Sequence, residues 1–189
     1  MRSRNVMAGA TAILLGASSL MAHDGDDNDR GRERDRSRFF VSAELIGYQE
    51  VPALSTTARG HFRAWIDTRA NTINWKLSYT ALEGDVTQSH VHFGQKSVNG
   101  GISFFLCSNL GNGPAGTQVC PMPPAEISGT ITPEQVIGPG PTGTPPTGGQ
   151  GIEPGAFDEI AAAIRDGVAY ANVHSTKWPG GEIRGQVHD

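Results

Sequence analysis

The sequence has few of the residues on which several common functions depend. Among its 189 residues there are only two cysteines, and charged and aromatic residues make up 18% and 7%. The formal net charge is −4, and no row of basic residues is interleaved with aromatic residues, which excludes a general nucleic-acid binder. We also find no serine nucleophile elbow, phosphate-binding loop or paired carboxylates, so the sequence gives no support for hydrolysis.

No apolar run is long enough for a comfortable transmembrane helix. Arg2 and Arg4 precede the apolar stretch 6–20, and Ala22 is a suitable small residue before a cleavage site, so residues 1–22 are predicted to be a secretory signal peptide. There is no twin-arginine pair and no nearby cysteine that would carry a lipid. We therefore expect a secreted or periplasmic protein with no stable membrane insertion after signal cleavage. An uncleaved N-terminal anchor is the alternative, because Leu20 is imperfect at the minus-three position.

Two segments lack the large apolar residues that a packed core requires. Residues 23–38, HDGDDNDRGRERDRSR, are densely charged and are predicted to be a disordered linker. Residues 138–151, GPGPTGTPPTGGQG, are of low complexity and are predicted to form a surface loop, either a passive insertion or a functional lid. The folded domain is accordingly predicted to span residues 39–189.

The two cysteines, Cys107 and Cys120, enclose a short segment rich in Gly, Asn and Pro. In an oxidising compartment this pair is expected to form a disulfide that stabilises the protein by about 3 kcal/mol in the chain-entropy model. A redox or metal-binding role is the alternative, although the pair is not in a Cys-x-x-Cys arrangement.

The 25 glycines and 12 prolines indicate many turns, and short stretches of alternating apolar and polar residues lie between them. One helix is predicted at 156–166, because Phe157, Ile160, Ala161 and Ile164 fall on one face. The pattern predicts an all-β fold, an antiparallel β-sandwich or flattened Greek-key barrel with one short helix before the last two strands. The predicted strands are 39–45, 60–67, 72–80, 86–93, 101–106, 125–131, 168–175 and 182–188.

The stretch Ser89–Gly94 contains two histidines separated by one residue. On a strand, His90 and His92 would share one face. A third histidine, His174, lies in the strand-like stretch 169–174. Three imidazoles from two strands would suit a type 2 copper site or a catalytic zinc with an open position. The alternative is that these histidines are hydrogen-bonded or surface residues, as we expect of His61 and His188.

Four motifs in order resemble those of the CHRD domain, which was first noticed in chordin. They are LIGYQEVP at 45–52, SHVHFG at 89–94, ANVHS at 171–175 and GEIRGQ at 181–186. The resemblance covers about Phe39 to Val187. It implies an extracytoplasmic β-rich domain and brings no settled general activity with it.

A second resemblance concerns the site, where His-Val-His followed by Phe-Gly, a distant histidine and a late arginine are similar to the copper half of copper-zinc superoxide dismutases. It implies that His90, His92 and His174 bind copper and that Arg184 lies near the open face, where its charge would guide superoxide. No loop rich in His and Asp matches the zinc half. The alternative for Arg184 is an ion pair with Glu50 or Glu182, and those carboxylates would otherwise orient the histidines.

Two functional hypotheses follow from these patterns. The first is a secreted copper protein with superoxide dismutase-like activity, and the second is a metal-free extracellular module that binds a protein or matrix ligand through loops such as 138–151. A copper carrier without turnover lies between them. A metal site requires ring nitrogens of His90, His92 and His174 within about 4 Å of one another.

Overall fold

The computed structural model describes residues 37–138 and 150–189. The predicted signal peptide, nearly all of the charged linker and most of the Gly/Pro/Thr-rich loop lie outside the described residues. No helix in the described part of the chain is long and apolar enough to cross a membrane. The strands and the helix are β1 (Arg38–Ile46), β2 (Arg59–Asp67), β3 (Thr72–Thr80), β4 (Val86–Phe93), β5 (Gly101–Ser108), β6 (Ala125–Ile131), α1 (Phe157–Arg165), β7 (Ala169–Ser175) and β8 (Ile183–Gln186).

All neighbouring strands pair antiparallel in one sheet with the order β5-β4-β7-β8-β1-β2-β3-β6. The sheet curves into a nearly closed barrel, and α1 precedes the last two strands, which confirms the predicted fold class. The long, twisted β1, β2 and β3 pair along nine residues each, as their strict apolar alternation requires.

The two edge strands, β5 and β6, are joined by the segment between the cysteines. The side-chain amide of Gln118 donates hydrogen bonds to the carbonyl of Leu106 on β5 at 3.3 Å and to that of Ser128 on β6 at 3.2 Å. Cys107 and Cys120 form the predicted disulfide, which holds this segment to β5. This segment therefore connects the two edges of the sheet.

The core fills the inside of the barrel with the inward residues of every strand. Val41, Phe62 and Leu77 are fully buried there, and α1 adds its apolar face, including Phe157 and Ile160, to the same cluster. The helix forms one residue inside each predicted end, and Gly167 follows it at φ +69°, a conformation that favours glycine.

The outer face of β4, β7 and β8 is also buried, which is unusual for a small antiparallel barrel. Inward residues such as Val91 and Ala171 leave their neighbours in sequence pointing outward, yet all seven residues of β7 are buried. Loops cover this face: the guanidinium of Arg184 donates to the carbonyls of Gln95 and Val98 in the β4–β5 loop. The face therefore combines polar side chains with exclusion of water.

Candidate metal centre

The structure brings the three predicted histidines together on this covered outer face. His90 and His92 come from β4 and His174 from β7, and one nitrogen of each lies within 4.8 Å of the others. In the β4–β7 register His90 is opposite Asn172, so His174, two residues further on, is its diagonal neighbour. The ring centroids of His90 and His174 are 4.6 Å apart.

The three histidines must move closer together before they can bind one ion. Ligand nitrogens about 2.0–2.1 Å from a shared ion lie at most about 4.2 Å from each other. The His90 Nδ1 and His92 Nε2 atoms are 2.9 Å apart, which places the two rings in hydrogen-bond contact. The group as a whole extends to 4.8 Å, which exceeds both this limit and the spacing of about 4 Å required above, so its ring nitrogens must move at least about half an ångström closer to bind one ion.

Backbone carbonyls fix which ring nitrogen carries the proton in His92 and His174. The Nδ1 of His92 faces the carbonyl of Gly100 at 2.9 Å, and the Nδ1 of His174 faces the carbonyl of Pro179 at 2.9 Å. A carbonyl oxygen only accepts hydrogen bonds, so each Nδ1 donates and each Nε2 keeps its lone pair. Both rings are thereby oriented as metal-bound imidazoles usually are.

The same reasoning extends to His90. Its Nδ1 faces two acceptors, Oδ1 of Asn172 at 3.1 Å and the lone pair on Nε2 of His92 at 2.9 Å. The Nδ1 of His90 is therefore protonated as well, and all three rings present lone pairs on Nε2. A metal held by Nε2 of His92 would replace the contact between His90 and His92, and Asn172 would remain as the acceptor for the His90 proton.

Two of these lone pairs have no partner in the described part of the chain. The Nε2 atoms of His90 and His174 are buried and make no hydrogen bond. A buried polar atom without a partner costs about 1–3 kcal/mol. A metal ion bound by both atoms would remove this cost.

Burial keeps the three rings neutral, which is the form that binds metals. Loss of hydration lowers the pKa of His90 well below its ordinary value and lowers that of His174 in the same direction. The pKa of His92 falls to about 4, mainly through burial. No proton has to leave Nε2 near neutral pH before a metal binds.

Arg184 lies next to the histidines across one aromatic ring. The ring of Tyr170 stacks on that of His92, with the ring centroids 4.6 Å apart and the planes 3° from parallel, and Cζ of Arg184 lies 3.4 Å from the Tyr170 ring centroid. The side chain of Arg184 is almost completely buried, and it also donates to Oδ1 of Asn99 at 3.2 Å. The structure thus places a fixed positive charge close to the site.

Within the described residues, Glu50 and Glu182 neither form an ion pair with Arg184 nor hydrogen-bond to the three histidines. No carboxylate lies within 4.0 Å of Arg184 there. The Oε1 atom of Glu182 instead accepts from Thr56 at 2.9 Å and from the backbone of Glu83 at 2.8 Å. Burial raises the pKa of Glu50 to about 7, and the charge of Arg184 partly opposes that shift.

Sequence reasoning missed the groups that orient the histidines. Tyr170 and Asn172 precede His174 by four and two residues, so strand periodicity could have placed both on its face. The carbonyls of Gly100 and Pro179 carry no sequence signal, because they come from loops whose course depends on tertiary packing.

The remaining described histidines lie apart from this cluster. His61 and His188 are both exposed, as expected of surface residues. The cluster of His90, His92 and His174 is the only group of three or more metal-ligating side chains in residues 37–138 and 150–189.

A nearly closed antiparallel barrel with three converging imidazoles under its loops defines a β-barrel protein that could hold a transition-metal ion. The CHRD domain matches residues 41–187, and the chain belongs to this family, whose domains occur in secreted proteins. The resemblance seen in the four sequence motifs is thereby confirmed. No curated protein and no solved structure matches the chain, so the likeness to superoxide dismutases depends on the histidines and Arg184 alone.

Proposed function

We propose that this protein is a secreted or periplasmic copper-binding protein and that His90, His92 and His174 bind one copper ion through their Nε2 atoms. The observation that supports this most strongly is the pair of buried, unpartnered Nε2 atoms of His90 and His174. Each ring also donates its Nδ1 proton to an oxygen acceptor, the arrangement that fixes metal-binding imidazoles.

The ligand set favours copper among the divalent ions. Imidazole nitrogen binds zinc, copper, iron and nickel, and the general affinity order places copper highest. A blue-copper site would require a cysteine thiolate, and both cysteines of the chain are bonded to each other. Zinc with an open fourth position is the second metal that three histidines suit.

The test is metal loading of the purified protein followed by removal of loosely bound ions and elemental analysis. We expect one copper ion per chain in the wild-type protein and its loss in His174→Gln, because Gln keeps a polar group there without the imidazole lone pair. His188→Gln, at an exposed histidine, is the matched control and should still bind one copper ion. Absence of stoichiometric copper from the wild-type protein would refute the proposal, and stoichiometric zinc instead would correct the metal.

Superoxide dismutation is the second candidate function, and Arg184 is the observation that favours it. A fixed cation beside the histidines raises the local potential for an anion such as superoxide. A copper ion held by the three histidines would supply the one-electron redox chemistry, and Arg184 would attract the anionic substrate, so Arg184 is the candidate catalytic residue. A superoxide assay on the copper-loaded protein, with free copper removed, decides the matter. Activity equal to the buffer background would leave a copper carrier without turnover.

A metal-free interaction module that binds an extracellular protein or matrix ligand is the other function that the CHRD family allows. It predicts that a chelator leaves the melting temperature of the protein unchanged after copper has been supplied. A chelator-induced fall in melting temperature would argue for the copper protein.

A further inference from the structure

We infer that the three-histidine site is built for monovalent copper and binds Cu(I) much more tightly than Cu(II). This inference depends on the proposed function, since it concerns the oxidation state of the ion in the same site. It follows from three features of the described residues: the charge of the ligands, their number, and the charge of the nearest side chains.

The ligands carry no negative charge to compensate that of an ion. All three are neutral imidazoles, and their Nδ1 protons go to the Asn172 amide and to two backbone carbonyls. Only 1%, 8% and 6% of the surfaces of His90, His92 and His174 is exposed. The cost of burying an ion grows with the square of its charge, so a dication loses about four times as much hydration energy here as a monocation.

The number of ligands leads to the same conclusion. Cu(II) prefers square-planar or tetragonal coordination, which needs at least four ligands. The described group offers three, and loops limit the access of water to the covered face. Three imidazoles complete a trigonal Cu(I) site without further ligands.

The nearest fixed charge is positive. Arg184 lies 3.4 Å from the ring of Tyr170, which stacks on His92. Its guanidinium donates to the Asn99 side chain and two carbonyls, and no carboxylate lies within 4.0 Å of it in the described residues. The carboxyl of Glu50 interacts with it at longer range and is only partly ionised near neutral pH, because burial raises its pKa to about 7. A cation repels Cu(II) twice as strongly as Cu(I) at the same distance.

The experiment compares the two oxidation states in the full-length protein. Cu(I) is supplied without oxygen and titrated against bicinchoninate, and Cu(II) is titrated in air against nitrilotriacetate. Ascorbate is the reductant, because a thiol would attack the Cys107–Cys120 disulfide. We expect the dissociation constant for Cu(I) to be at least about a hundredfold lower than that for Cu(II). Silver(I), a monovalent ion that needs no reductant and is added without ascorbate, should raise the melting temperature more than zinc(II).

A single substitution tests the electrostatic reason. Asn172→Asp keeps the shape of the group that accepts the His90 proton and adds a negative charge. We expect this substitution to raise the affinity for Cu(II) relative to that for Cu(I) by about tenfold. That change corresponds to a fall of about 59 mV in the one-electron reduction potential of the bound copper. Asn74→Asp is the matched control: Asn74 also accepts a side-chain hydrogen bond, from Thr130, but lies exposed on β3 away from the histidines. The ratio of the dissociation constants for Cu(I) and Cu(II) in Asn74→Asp should equal that of the wild type.

Equal or tighter binding of Cu(II) by the wild-type protein overturns the inference and leaves copper binding intact. Failure to bind copper in either state overturns the proposed function as well, so the two failures are distinguishable. If Asn172→Asp does not fold, the wild-type ratio and the silver–zinc comparison still decide the question.

Discussion

Replacing one buried imidazole by a ring that does not titrate, His92→Phe, is expected to flatten the acid side of the stability curve of the metal-free protein. Burial lowers the pKa of His92 to about 4 in the folded protein, compared with 6.5 for an unperturbed histidine. Between these values the unfolded chain binds a proton at this residue and the folded protein does not. The contribution of His92 to stability is therefore complete above pH 6.5 and is lost as the pH falls towards 4.

The magnitude follows from the size of the shift. Each pH unit in that window lowers the free energy of unfolding by about 1.4 kcal/mol per histidine, so His92 accounts for about 3 kcal/mol in total. In His92→Phe the free energy of unfolding should change with pH less steeply between about pH 5 and 6.5, by about 1.4 kcal/mol per pH unit. The phenyl ring can still stack on Tyr170, but the carbonyl of Gly100 loses the shorter of its two side-chain hydrogen bonds and keeps only the Tyr170 hydroxyl at 3.5 Å, which costs about 1 kcal/mol at every pH.

The assay is urea denaturation in the presence of a chelator, at several pH values from about 5 to 7. The pH dependence separates the lost proton linkage from the constant cost of the missing hydrogen bond. Glu50 also titrates in this range, in both proteins, and cancels in the comparison. His61→Phe is the control, because His61 is exposed, and its slope should equal that of the wild type. A His92→Phe slope equal to the wild-type slope would refute the assignment of a neutral, buried His92.

Three further outcomes are expected. Burial raises the folded-state pKa of Glu50 to about 7 from 4.5, so its stabilising contribution is present at low pH and is lost as the pH rises through this window. Between pH 4.5 and 7 the free energy of unfolding of Glu50→Gln should rise by up to about 3 kcal/mol relative to the wild type, as measured by the same denaturation series. Gly181→Ala should lower the unfolding free energy by about 1–3 kcal/mol, because Gly181 has φ +127° and a Cβ there would lie 2.5 Å from Oε1 of Glu50, whereas Gly180→Ala, with open space, should change it little. Replacing both Cys107 and Cys120 by Ala should cost about 3 kcal/mol in denaturation experiments, since the bond closes a separation of 13 residues.

Much of the fold could be predicted because strand periodicity is local. Alternation along β1, β2 and β3 gave their extent to within a residue or two and identified their inward faces. The ends of β8 were less predictable: the extended pattern continues to His188, but regular pairing stops at Gln186 and only an isolated bridge joins Ser42 to His188. Strand ends depend on partners that are distant in sequence.

In the candidate site, too, local periodicity predicts some features and tertiary packing determines the others. Periodicity predicts that His90 and His92 share a face, and the strand-like stretch around His174, with the likeness to superoxide dismutases, predicts His174 as their partner. Arg184 was expected near an open face, but the loop at 95–99 closes over it and binds its guanidinium. Loop paths of this kind are determined by packing between elements, which a local pattern does not contain.

The sequence by itself determined the all-β class, the cysteine pair and the common face of His90 and His92, because each follows from residues close together in the chain or from the count of cysteines. Only the tertiary structure decided that β7 lies beside β4 in a register that brings His174 diagonal to His90. It also decided that loop carbonyls hold the Nδ1 protons and that the outer face is buried. The physical reason is that long-range strand pairing and loop packing fix these positions together, across more than 80 residues of chain between His90 and Asn172.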